Sequence, residues 1–118
     1  MTSSCQTASV LSSVAATIGM ARTALAVANP LDATSVASRL LYGVEVDLDA
    51  LLETIGQDPS IWPVVLALRD EISAYLLAAE SLEKTGVAPT VTVALLRRGT
   101  SRAQEQVDRL AKQGVPPM

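Results

Sequence analysis

Glu45, Asp47 and Asp49 stand at every second position, separated by Val46 and Leu48. Oxygen donors at that spacing are how a calcium-binding loop begins. Such a loop also needs a glycine at its sixth position and a bidentate glutamate at its twelfth. Ala50 and Gly56 stand there instead. The run is read as a turn in which Asp47 caps a following helix and acids gather in its first turn, where the helix dipole favours them.

Two further acid pairs could serve general acid–base chemistry. Asp70 and Glu71 are neighbours, and on a helix they point about 100° apart, so they do not converge. Glu80 and Glu83 share a face beside a wet helix end and read as solvated charge. Histidine is absent, which removes the commonest general base and the commonest metal ligand. Cys5 is the one cysteine, so neither a Cys/His zinc site nor a Cys–His nucleophile pair can form. It reads as a small apolar residue on the first helix. No serine lies in Gly-x-Ser-x-Gly, and Gly86, Gly99 and Gly114 are isolated, so no loop cradles a phosphate. These residues point to no catalytic, cofactor or metal site, and a non-enzymatic role is expected.

Basic residues form the other pattern. Arg98, Arg102, Glu105, Arg109 and Lys112 are spaced four and three apart, a stripe on one helix face if that helix continues through Gly99. The stripe suits phosphate contact, a solvated face, or an ionic contact with acids in this subunit or the next. No aromatic interleaves it, Glu105 interrupts it, and the chain carries a net charge of −3, so nucleic acid is disfavoured. The charge is also segregated. Residues 1–31 hold Arg22 alone, residues 32–96 carry ten acids against three bases, and residues 97–118 carry five bases against two acids. Oppositely charged ends invite head-to-tail association, which closes into rings or runs into filaments.

The elements that must position these groups are helices. Ile61, Val65, Leu68, Ile72, Tyr75, Ala79 and Leu82 repeat at an average spacing of 3.5, one apolar seam on a helix over about 60–84. Asp58 and Ser60 compete to cap it, and Pro63 as its third residue favours Ser60. Thr85-Gly86 ends it. Leu66 and Leu77 lie opposite the seam, which predicts a central helix wrapped by its neighbours.

Val10, Val14, Ile18, Ala21, Leu25 and Ala28 stripe a first helix that Asn29-Pro30 ends. Its other face, with Ser9, Ser12, Ser13, Ala16, Gly19 and Thr23, is polar without charge and lets another backbone come close. That face is buried either within its own domain or against another subunit. A membrane surface is disfavoured because no basic face accompanies it. A signal peptide is not recognisable: the positive n-region is missing and Ser12, Ser13 and Thr17 break the apolar run.

Asp32 is read as the cap of a second helix over about 33–42 with Gly43 as its stop, and Asp47 as the cap of a third over about 48–55 closed by Gly56. Residues 90–96 alternate like a strand, but nothing pairs with them, so a short helix opened by Pro89 or Thr90 is favoured. Gly99 then interrupts. Ser101 and Gln104 stand at capping-box spacing for a last helix to about Gln113, and 114–118 form an extended tail.

One all-α domain spans 1–118, with five or six helices around the 60–84 helix. Phe is absent, so Ala, Val and Leu must fill the core, which favours close helix–helix approach over a deep pocket. The expected function is structural: a subunit of a homo- or hetero-oligomer contacting other protein subunits, as in a small tail, baseplate or connector component of a bacteriophage virion. The alternative is a soluble dimeric adaptor or regulatory module. Virion or cytoplasm is the expected location, and no cofactor is expected. The candidate interface residues are Ser9, Ser12, Ala16, Gly19, Thr23, Arg98, Arg102, Arg109 and Lys112.

Overall fold

The computed structural model describes residues 3–27, 29–55 and 59–113, with the side chains of residues 7–26, 29, 31–55 and 59–110. These form four helices: α1 (Ser3–Val27), α2 (Pro30–Ile55), α3 (Trp62–Lys84) and α4 (Pro89–Gln113). The all-α class holds, but the count is four rather than five or six. Two glycines expected to end helices do not. Gly43 lies inside α2 and Gly99 inside α4.

The physical reason is phase. Ala37, Leu41, Val44, Leu48 and Leu51 are all buried, and their four-and-three spacing runs straight across Gly43. A helical glycine costs about 1 kcal/mol against alanine. Each fully buried leucine contributes about 1.5–3 kcal/mol, so the continuous helix wins. Leu96, Ala103, Val107 and Leu110 carry α4 past Gly99 in the same way.

Three local readings fall with those stops. Glu45, Asp47 and Asp49 sit in mid-helix, so Asp47 caps nothing. Ser101 and Gln104 also lie in mid-helix and form no capping box. Residues 90–96 are helical, as favoured over the strand.

The helix ends are local chemistry. Asn29, not Asp32, caps α2: its Oδ1 accepts the Asp32 N–H at 3.0 Å, and its Nδ2 donates to Asp32 Oδ2 at 2.8 Å. Pro30 fills the first helical position, where a missing N–H has no consequence. Ile61 rather than Ser60 is the cap position of α3, and the Ile61 side chain makes no capping hydrogen bond. At the other end Gly86 takes φ +78°, its N–H bonds Glu83 O, and the Val87 N–H bonds Leu82 O. That is the two-bond glycine stop expected at Thr85-Gly86. The expected roles of Gly56 and Asp58, the tail 114–118 and the side chain of Cys5 lie outside the described residues.

Going round the bundle the order is α1, α2, α3, α4. α1 touches α2 and α4, α3 touches the same two, and α1 and α3 do not meet. α2 and α4 meet across the centre, so the bundle is flattened, 48 × 23 × 17 Å overall. α3 is therefore not the central helix, and α2 and α4 share that place. Leu77 is 66% exposed and Leu66 half-buried, so the second side of α3 is not wrapped. Ile61, Val65, Leu68, Ile72 and Ala79 of the seam are buried, but Leu76 replaces Tyr75 in the core and Leu82 is half-buried. One continuous apolar cluster joins all four helices.

Candidate functional site

On α1, Thr7, Leu11, Val14, Ile18, Ala21 and Leu25 form the buried stripe. Ser9, Ser12, Ser13, Ala16 and Thr23 are exposed, Gly19 is half-buried, and Met20 is 58% exposed. The uncharged face is thus not covered by its own domain. Thr17 donates to Ser13 O at 2.9 Å and Thr23 to Gly19 O at 3.0 Å. These two hydroxyls are used within the helix, and the face offers small groups to a neighbour. By length and composition alone, the stretch Thr7–Ala26 could cross a membrane.

Between α1 and α4 lies an open groove of about 750 Å³, lined by Gly19, Arg22, Thr23, Ala26, Arg97, Arg98, Thr100, Ser101, Arg102 and Glu105. Helical spacing explains it. Arg22 lies on the side of α1 that faces α4, where a Cβ added at Gly19 would lie 3.8 Å from Gln104 Oε1. Arg97 and Ser101, one turn apart, line the facing side of α4. Gly19, Thr23, Arg98 and Arg102 are brought together here. Ser9, Ser12, Ala16 and Arg109 are not among the lining residues, and the Lys112 side chain lies outside the described residues. Arg22 and Arg97 were not among the expected interface residues. The available signal was that Arg22 is the only charge in the first 31 residues.

Arg102 also reaches α3. Its Nε stands 3.7 Å from Glu71 Oε2, while Gln106 Nε2 donates to Glu71 Oε1 at 2.6 Å and the Tyr75 hydroxyl to Oε2 at 3.3 Å. The Glu71 side chain is only 19% exposed, so this clasp satisfies a carboxylate in the α3–α4 seam. Burial first, then the neighbouring Glu71 charge, raises the Tyr75 hydroxyl above its usual pKa. The Tyr75 ring rests on the bare backbone of Gly99, where an added Cβ would lie 2.7 Å from ring carbons.

The α2–α3 edge is different. Glu45 accepts from the Ser73 hydroxyl, Asp49 pairs with Arg69 Nε at 2.8 Å, and Arg69 Nη1 reaches Asp70 at 3.0 Å. Glu45 and Asp49, one turn apart, both face α3 and are taken up by Ser73 and Arg69, whereas Asp47 points away into solvent. Among the described residues no group of three or more His, Cys, Asp or Glu could hold a metal ion. Glu80 pairs with Lys84 at 3.2 Å. Between α2, the C-terminal part of α3 and the start of α4 a groove of about 590 Å³ opens, and Leu31, Tyr42, Leu76, Glu80, Val87 and Thr92 are among its lining residues. Leu31 is 68% and Tyr42 49% exposed, above a buried Leu76.

Round the bundle these two edges lie on opposite sides. α1 and α4 together hold six bases against two acids, a net of +4, whereas α2 and α3 hold nine acids against three bases, a net of −6. Segregation along the chain has become segregation across the molecule. No protein-family model, curated protein or solved structure matches this chain.

Proposed function

We propose that this protein is an assembly subunit that acts through helix-mediated contacts with other protein subunits. The observation that carries the reading is the pair of open grooves on opposite edges, one arginine-lined and one of mixed lining with Leu31 and Tyr42 exposed. Exposed apolar residues ringed by polar ones mark protein contact surfaces. The uncharged outer face of α1 supports the same reading, because small residues allow a second helix to approach closely. A tail, baseplate or connector position in a bacteriophage particle is one setting for such a subunit.

The second reading is a dimeric adaptor that seats a partner helix in the α2–α3 groove, supported by the exposed Leu31, Tyr42 and Val87 there. Mass measurement of the purified full chain separates the two. Assemblies beyond the dimer, well above the 12.3 kDa chain mass, are expected. A discrete dimer that never grows would favour the adaptor, and a monomer at every concentration would overturn the assembly reading.

A further inference from the structure

We infer that the arginine groove between α1 and α4 receives the acidic α2–α3 edge of a second copy of this chain. This inference rests on the assembly reading above and names its surface and its partner. The groove gathers Arg22, Arg97, Arg98 and Arg102 against a single acid, Glu105. Among the described residues Arg22, Arg97 and Arg98 make no ion pair, and Arg102 has only Glu71 at 3.7 Å. Four like charges along one groove repel each other, and an incoming set of anions relieves that repulsion. The cations are all guanidinium groups, whose planar fork suits carboxylates and phosphates.

Carboxylates are the better fit. No aromatic side chain lines the groove, so bases have nothing to stack on. The α2–α3 side, at −6, would repel any long polyanion lying near it. The chain itself carries the matching anions. Glu53 is exposed and makes no ion pair among the described residues, and Asp49 and Asp70 share one cation, Arg69. Leu31, Tyr42 and Leu77 on the same two helices add exposed apolar area, which a protein contact needs beside its charges.

The placement of the edges also sets the symmetry. A two-fold contact through either edge would set arginine against arginine, or acid against acid. Donor and acceptor edges on opposite sides instead lead to a head-to-tail contact, which each added copy can repeat.

The test uses the full chain and two paired variants, Arg22→Gln with Arg97→Gln, and Glu53→Gln with Asp70→Asn. Among the described residues Arg22, Arg97 and Glu53 make no ion pair and Asp70 pairs with Arg69, and circular dichroism checks that each variant remains helical. Light scattering should show wild-type assemblies that dissociate as salt rises from about 0.1 M to about 1 M, which shortens the screening length from about 10 Å to about 3 Å. Each variant alone should associate about tenfold more weakly or worse. Mixed, the two should form a 1:1 complex of twice the 12.3 kDa chain mass and nothing larger, because each retains only one working edge. Wild-type assemblies that persist in both variants and in high salt would overturn the inference while leaving the assembly reading intact. A wild-type monomer under all conditions would overturn both. Retention of duplex DNA that depends on Arg22 and Arg97, without self-association, would overturn the inference in favour of a nucleic-acid ligand.

Discussion

Two glycines in equivalent mid-helix positions have opposite roles. Around Gly43 nothing lies within 4 Å of where a Cβ would be, so Gly43→Ala adds helix propensity at no steric cost. It should stabilise the fold by about 0.5–1 kcal/mol, read as a higher denaturant midpoint with an unchanged slope. At Gly99 the added Cβ would meet three carbons of the Tyr75 ring at 2.7–2.8 Å. Gly99→Ala must move the ring and disturb the Glu71 clasp, and should destabilise by about 1–3 kcal/mol. Equal effects from the two substitutions would show that the Tyr75–Gly99 contact is not formed. Tyr75 carries a pH signature as well. Its folded-state pKa lies above the unfolded value, so its stabilising contribution is complete below pH ~10 and is lost as pH rises through the folded value. Wild-type stability should therefore fall more steeply above pH ~10 than that of Tyr75→Phe, in denaturant titrations across that range.

At the scale of elements, Asn29 sets the start of α2. Its side chain holds the Asp32 N–H, and Asp32 answers through the Asn29 amide. Asn29→Ala should cost about 1 kcal/mol, while Asn29→Ser should retain most of the cap. Asn-Pro was legible as a helix end, but the same two residues open α2, and Asp32 stands at the third position of that helix rather than before it. The length of α2 was also present in the sequence, since Ala37, Leu41, Val44, Leu48 and Leu51 never lose phase at Gly43. A stop at Gly43 sets that phase aside, and the acids after it then resemble a turn. The switch from Tyr75 to Leu76 as the core residue was not legible. It depends on α4 offering a bare backbone at Gly99 for the ring and on Glu71 accepting its hydroxyl, both non-local facts. The arginine groove was half legible. Arg98 and Arg102 come from one stripe, but Arg22 joins them only because α1 and α4 are neighbours in a ring that no local pattern specifies.

For the whole molecule, the composition decides how core and surface divide the stability. The core is one cluster shared by four helices, so unfolding should be a single cooperative transition. It is built from Leu, Val, Ile and Ala, with no Phe to bury large areas. Leu48→Ala, at a fully buried position between the helices, should cost about 2–5 kcal/mol, a large share of the ~5–15 kcal/mol typical of a domain. That loss should appear at any protein concentration, because the cavity lies within one chain. Tyr42 gives the contrasting case. It is 49% exposed on the rim of the α2–α3 groove, so Tyr42→Ser removes little from the isolated chain. If that edge is covered in an assembly, folding and association are linked, and the wild-type melting temperature should rise with protein concentration. Tyr42→Ser should match wild type in dilute solution and fall behind as concentration increases, whereas Leu48→Ala should lie lower throughout. Melting curves over a hundredfold concentration range would separate these outcomes. A wild-type melting temperature independent of concentration would place all of the stability within the four helices and remove the linkage on which the role of the α2–α3 edge depends.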